Sequence, residues 1–230
     1  MSAKKRASAT AEDGVECPVC RGTFPEFTGP KSFCPRCGAK ARQRLVWVYL
    51  EETGIEDPDL AILHIAPEAP LRKRLQNRPV YVAGDLDPER YRSDGEKTRI
   101  LALDVTAIPF KDRSFDRIII NHVLEHVPDD RLAMRELFRV LKPGGRLIGQ
   151  HPVNWDRAAT YEDPSITSPR DRERHFEQHD HVRIYGRDFE DRLRAAGFEV
   201  TAIDYWKQLP KPIAKRYDLA RKIIHDCRRR

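Results

Sequence analysis

The chain has 230 residues, 40% of them hydrophobic and 34% charged, with a net charge of +6. That length suits one ordinary domain with a small appendage. No apolar run approaches the ~20 residues a membrane-spanning helix needs, and so small a positive surplus permits an anionic partner without demanding one.

Met1 to Ala11 is charged and rich in small residues, with no apolar stretch of the kind a secretory signal carries. Residues 1–14 therefore read as a disordered tail, and the compartment as the cytoplasm. Two cysteine pairs follow, Cys17-Pro18-Val19-Cys20 and Cys34-Pro35-Arg36-Cys37-Gly38. The spacing predicts a zinc ribbon over residues 15–40, with Cys17, Cys20, Cys34 and Cys37 as the ligands of a Zn²⁺ ion. Four thiolates close a tetrahedron at about 2.3 Å and leave no open position for a catalytic water, so the site should be structural. Proline after the first cysteine fixes the turn, and Gly38 supplies freedom at its exit. A redox dithiol pair and an iron–sulfur cluster are the other readings of the same spacing.

Ala41 to Thr53 is expected to form a helix stopped by Gly54, linking the ribbon to a main domain over 41–230. Beyond it, strand and helix signals alternate. Strands are predicted at Leu60–Ile65, Val80–Leu86, Ile100–Asp104, Arg117–Asn121, Arg146–Gln150, Phe198–Tyr205 and Lys222–Asp226. Helices are predicted at Ala69–Gln76, Asp129–Leu141 and Arg187–Ala196. In the second of these, Leu132, Leu137 and Val140 face inward and Gly144-Gly145 serve as the stop. This order implies an α/β fold with a seven-stranded, mostly parallel sheet and helices on both faces. Residues 151–186 show weak regular patterning and are too long for a plain connection, which suits a substrate lid. Cys227 reads as a small buried residue of the last strand.

Three stretches then resemble one family. Leu103-Asp104-Val105-Thr106-Ala107-Ile108-Pro109-Phe110-Lys111-Asp112-Arg113-Ser114-Phe115-Asp116 is similar to the middle segment of class I S-adenosylmethionine-dependent methyltransferases. Ile118 to Val127 is similar to their fourth strand and its exit, and Glu136 to Leu147, with Lys142-Pro143-Gly144-Gly145, is similar to their fifth-strand entry. The likeness spans residues 60 to about 206, nearest to the type 11 subgroup. It implies a Rossmann-like domain that binds S-adenosylmethionine. By this resemblance Asp85 would hold the ribose hydroxyls, with Leu86 next to it. Asp104 would accept from the adenine amine, Val105 would lie beside the ring, and Asn121 would stand near the methionine part.

One departure concerns the loop after the first strand, which the family makes glycine-rich. Here it reads His64-Ile65-Ala66-Pro67-Glu68-Ala69-Pro70. Ile65 and Ala66 would pass close to the cofactor, and Glu68 would bind its amino group or cap the next helix.

Methyl transfer needs chiefly positioning and, for some acceptors, removal of a proton. His126, His151, His179 and His181 are the candidate bases, with Asp180 beside His181 as a carboxylate–imidazole pair and His175 with His179 as a metal pair at four-residue spacing. No Asn-Pro-Pro-Tyr-like tetrapeptide or Pro-Cys pair follows the fourth strand, which speaks against adenine-N6 and pyrimidine-C5 chemistry. The expected reaction is methylation of an oxygen or nitrogen on a small, metabolite-like acceptor. An RNA acceptor contacted by the ribbon, and a catalytically decayed binding module, are the competing readings.

Overall fold

A computed structural model describes residues 14–94 and 99–230. The tail expected over residues 1–14 lies outside the described residues except for Gly14.

Seven strands form one sheet: β3 (Ile62–Ile65), β4 (Tyr81–Asp85), β5 (Ile100–Ala102), β6 (Phe115–Ile120), β7 (Leu141–Gly149), β10 (Glu199–Ile203) and β11 (Ile224–Arg228). Their order is β10-β11-β7-β6-β3-β4-β5. The five strands from β5 to β7 run parallel, and β11 is antiparallel to both β7 and β10. The strand order reverses between β3 and β6, and in sheets of this type that crevice is where ligands bind.

The consecutive isoleucines of β6 show how both faces are covered. Ile118 and Ile120 join a core with α3 (Asp130–Val140) and α5 (Phe189–Ala195), while Ile119 joins a second core with α1 (Ala41–Glu52) and α2 (Ala69–Leu75). A continuous apolar run is what a strand buried on both faces requires. The expected α/β fold with a seven-stranded, mostly parallel sheet is therefore the observed one.

Several expectations are corrected. In α3 the inward residues are Ala133, Met134, Leu137 and Val140, and Leu132 is 36% exposed. The helix ends at Val140 and runs directly into β7, so Gly144-Gly145 do not stop it. Gly144, at φ +78°, sits inside β7, where its amide donates to Arg229 O at 2.7 Å while Arg229 N donates to Gly145 O at 3.2 Å. The glycines thus extend the sheet edge. The last strand lies at Ile224–Arg228, which buries Cys227 completely in the first core.

Residues 151–186 are more structured than their pattern suggests. They hold β8 (Tyr161–Glu162), paired antiparallel with β9 (Arg183–Ile184), and helix α4 (Pro169–Phe176). Arg183 fixes this segment to the carboxyl end of β6. Its guanidinium donates to Leu124 O at 2.9 Å, to Pro128 O at 2.8 Å and to the Val127 carbonyl. Arg183 and Arg192 share Glu162, at 2.8 and 2.9 Å, and Arg192 also reaches the buried Asp130 at 3.1 Å.

The amino-terminal segment is not a loose arm. Two short strands, β1 (Val15–Glu16) and β2 (Thr23–Phe24), pair antiparallel, and Cys17, Val19, Cys34 and Ala39 are buried in the same core as α1 and the sheet. Arg44 joins them. It is fully buried, stacks 3.8 Å from the Phe27 ring centroid, and donates to Ser32 O and Ala39 O at 2.7 Å each. It also donates to Tyr217 O at 2.8 Å and Asp218 O at 2.7 Å, beyond α7 (Lys211–Arg216). Its five donors match this fixed ring of carbonyls, and lysine could not satisfy them. Arg44→Ala is expected to lower stability by roughly 2–4 kcal/mol, since it removes a fully buried side chain together with the donors to the Ala39, Ser32, Tyr217 and Asp218 carbonyls. Urea unfolding measures this, and a loss under about 0.5 kcal/mol, the ordinary surface value, would refute the bracing role.

Candidate functional site

The four cysteines come together from two matching turns. Arg21 N donates to Cys17 O and Gly38 N donates to Cys34 O, both at 2.8 Å. Arg21 (φ +58°) and Gly38 (φ +73°) take the left-handed conformation that each turn's exit requires. The sulfurs of Cys17 and Cys37 lie 3.7 Å apart, and those of Cys20 and Cys34 lie 3.6 Å apart. Thiolates on a tetrahedral zinc at 2.3 Å stand about 3.8 Å from each other, so the cluster fits such an ion. The Cys37 thiol and backbone amides aimed at Cys17 pull its pKa down to about 5, whereas burial pushes Cys20 up to about 11. A bound cation would hold all four as thiolates.

The second group of residues lies along the carboxyl edge of the sheet. Ala66, just past β3, has φ +47°. A non-glycine residue there costs about 1 kcal/mol, held in place by a hydrogen bond from its amide to Gly84 O at 2.8 Å. Alanine therefore performs the turn for which glycine was expected. Ile65 beside it is buried in the sheet.

Glu68 does not cap α2: its side chain accepts no bond from that helix. It points instead across the site, where Oε1 accepts from Gln43 Nε2 at 2.9 Å and Arg42 Nη2 at 3.2 Å, and Oε2 accepts from Asn121 Nδ2 at 2.9 Å. Asn121 Oδ1 in turn accepts from Gln150 N at 3.0 Å.

Asp85 ends β4 and is buried. Its Oδ1 accepts from Asp87 N at 2.9 Å and its Oδ2 from Tyr91 Oη at 2.7 Å, leaving a lone pair on each oxygen. Leu86 follows it, a large apolar side chain that is 76% exposed. Asp104 Oδ1 caps its own turn through Thr106 N at 2.8 Å, and Val105 is buried beside it.

Of the histidines, His126 and His181 meet with ring centroids 4.7 Å apart, next to Glu125. Asp180 does not pair with His181: its Oδ2 lies 3.4 Å from His126 Nδ1, while His181 Nδ1 bonds Phe176 O at 3.1 Å. His122, Glu125, His126 and His181 border a cleft of about 560 Å³ that Lys31, Lys40 and Arg42 also line. His151 is buried in the wall of an adjoining cleft of about 600 Å³, which also reaches His122 and His181. His179 is exposed and lines neither cleft. His175 bonds Tyr161 Oη at 2.8 Å and forms no metal cluster with His179 among the described residues.

Sequence reasoning missed Glu125. It sits in the Val123-Leu124-Glu125-His126-Val127 stretch read only as a family signature, and its burial was the signal that a sequence does not display.

Residues 70–149 match the family model described as "Methyltransferase domain". A 76-residue stretch is 38% identical to the ubiquinone/menaquinone biosynthesis C-methyltransferase UbiE of Pasteurella multocida, covering 29% of this chain and 28% of that one. The chain spans 30% or less of each curated relative it matches. Among solved structures, the YcgJ protein of Bacillus subtilis superimposes with a TM-score of 0.55 at 16% identity, over 82% of this chain and all 100% of that one. An S-adenosylmethionine dependent methyltransferase of Mesorhizobium loti gives 0.54 at 18% identity, over 80% and 98%. These structures share the fold.

Buried imidazoles give the site an acid response. Burial lowers His64 to about 3 and His225 to about 4, and holds His151 well below its ordinary value. Above about pH 6.5 these rings are neutral in folded and unfolded chains alike, so pH has no effect through them. Below it the unfolded chain takes up protons that the folded chain refuses, and stability falls with pH until the folded values are reached. Each ring contributes up to about 1.4 kcal/mol per pH unit. Urea unfolding at pH 7.5 and 5.5 should show the loss, and His225→Phe should remove one ring's share. Equal slopes for the two proteins would contradict the assignment.

Proposed function

We propose that the chain is an S-adenosylmethionine-dependent methyltransferase acting on an oxygen or nitrogen of a small, metabolite-like acceptor, braced by a structural zinc ion on Cys17, Cys20, Cys34 and Cys37. One observation carries the reading. The groups expected at the cofactor all fall at the carboxyl ends of the four adjacent strands β5, β4, β3 and β6, around the crevice where strand order reverses.

The residues present fit such a ligand. Ala66 offers a close backbone approach beside Ile65. The unspent lone pairs of Asp85 suit a pair of ribose hydroxyls. Exposed Leu86 and buried Val105 suit the two faces of a flat base, with Asp104 at its polar edge. Glu68 and Asn121 form the polar end for a methionine amino group. The cofactor, when bound, supplies an activated methyl group on a sulfonium. The protein's task is then to hold the acceptor in line, exclude water and accept a proton.

The cleft beside Glu125 is the acceptor site in this reading, with residues 151–186 as its cover. Of the proposed bases, His126 and His181 line that cleft and His151 the adjoining one, whereas His179 would need the cover to move. Lys31, Lys40, Arg42 and Lys222 border the cleft, and burial together with neighbouring Arg42 and Lys31 lowers the pKa of Lys40. That local positive field favours an acceptor bearing an anionic group.

RNA is the second reading on the same observation. It is the weaker one, because Trp155 is the sole large aromatic among the exposed hydrophobics of the described residues, with no stripe for stacking bases. Binding to bulk RNA that falls steeply with salt would revive it.

Calorimetric titration with S-adenosylhomocysteine tests the main reading. Saturable binding is expected, and Asp85→Ala should weaken it roughly 10–150-fold, the loss of hydrogen bonds to a charged acceptor. No heat at millimolar ligand in zinc-loaded protein would overturn it.

A further inference from the structure

Glu125 is 1% exposed, and neither of its carboxylate oxygens has a hydrogen-bond partner. Buried carboxylates are normally satisfied, because an unpaired one forfeits its hydration for nothing. His122 Nδ1 comes within 3.2 Å of Oε1, but without the geometry of a hydrogen bond. The orphaned carboxylate faces His126 and His181, and one donor atom from each of the three residues lies within 4.8 Å of the others.

The imidazoles are oriented in a specific way. His126 Nδ1 faces the Asp180 carbonyl at 3.2 Å and its carboxylate at 3.4 Å, and His181 Nδ1 faces the Phe176 carbonyl at 3.1 Å. Only a protonated Nδ1 can donate to these oxygens, so each Nε2 keeps a free lone pair. Metal-binding histidines are held this way, the second nitrogen donating to a carbonyl or carboxylate. The backbone supports the same grouping, since Val182 N donates to Glu125 O at 3.0 Å and so brings the lid residue His181 against the turn that carries Glu125 and His126.

We propose that Glu125, His126 and His181 form a second metal site, for a divalent first-row transition cation, separate from the four-cysteine centre. Two imidazoles and one carboxylate suit such ions and leave coordination positions open. Donors around a cation at about 2.1 Å stand roughly 3.0–3.5 Å apart, so donors now within 4.8 Å must close by up to about 1.3–1.8 Å, a movement that the partly exposed His126 ring allows. The open positions face the cleft that borders Lys31 and Arg42. The site thereby deepens the methyltransferase reading and rests on it for its purpose: a hydroxyl acceptor with an adjacent anionic group would reach the cation and the basic rim together. Coordination lowers the acceptor's pKa. His126 and His181 then serve as ligands and not as bases: the acceptor's proton leaves to solvent, its oxygen forms the O–CH₃ bond as the S–CH₃ bond breaks, and S-adenosylhomocysteine departs as a neutral thioether.

The test titrates Co²⁺ into the full-length protein without cofactor, loaded with a single equivalent of Zn²⁺ so that only the four-cysteine centre is filled, followed by visible absorption and calorimetry. One equivalent should bind with nitrogen–oxygen ligand-field bands and no thiolate charge-transfer band. Glu125→Gln and His126→Ala should each weaken binding at least 10-fold with unchanged circular dichroism, while His179→Ala should not. His126 is partly exposed, so its variant keeps the test meaningful if the buried Glu125→Gln does not fold. Absence of binding, a thiolate band showing exchange at the cysteines, or wild-type affinity in both variants would overturn the proposal. Because no cofactor is present, that outcome is separable from failure to bind S-adenosylhomocysteine.

Discussion

The structure turns on the Glu68 carboxylate. It is largely buried, and a buried charge persists only where hydrogen bonds replace its water. Those bonds come from Arg42 and Gln43 at the start of α1 and from Asn121 at the end of β6. One side chain thus ties the loop after β3 to the helix that follows the cysteine cluster and to the centre of the sheet. Asn121 passes the constraint on to Gln150 at the end of β7. With this brace and two prolines, the loop keeps Ala66 in a conformation that alanine would otherwise avoid. The appendage and the strand-end crevice are consequently one mechanical unit, and Arg44 closes the unit from the other side.

A second polar system fixes residues 151–186. Buried Asp130, Arg183 and Arg192 are paired with one another and with Glu162 at the surface. Arg183 carries that network to the carbonyls of the turn at 124–128. Residues 151–186 are therefore registered to the turn at 124–128 that borders the cleft. That registration brings His181, far along the chain, into contact with His126. In this arrangement Glu125 remains the one carboxylate of the cleft floor without a partner.

The sheet was legible in the sequence because its signals are local. The alternation of strands and helices, the isoleucines of β6 and the CxxC pairs each show within a few residues. The misreadings arose where a long-range contact decided the matter. Leu132 fits a helical stripe, but the phase of α3 is set by what Ala133 and Met134 meet. The Gly144-Gly145 pair resembles a helix stop, yet pairing with Arg229 draws it into the sheet. Helix α4, Pro-Arg-Asp-Arg-Glu-Arg-His-Phe, buries only Phe176 and so has no apolar period to read, although its Ser168 cap and Pro169 were visible signals. Adjacent Asp180 and His181 suggested a pair, but neighbours along an extended chain point apart, and Asp180 turned to His126. Nothing local in the sequence marks Arg44, and only the fold reveals the carbonyls around it.

The central claim is that the crevice at Ala66, Asp85 and Asn121 holds the methyl donor despite a loop without glycine. A crystal structure of the protein grown with S-adenosylhomocysteine tests this most directly. The account predicts the product along the carboxyl ends of β3 and β4, its ribose hydroxyls on Asp85, its base beside Leu86 and its amino group near Glu68 and Asn121. A crevice left empty at saturating ligand, or a product bound without contact to Asp85, would contradict it.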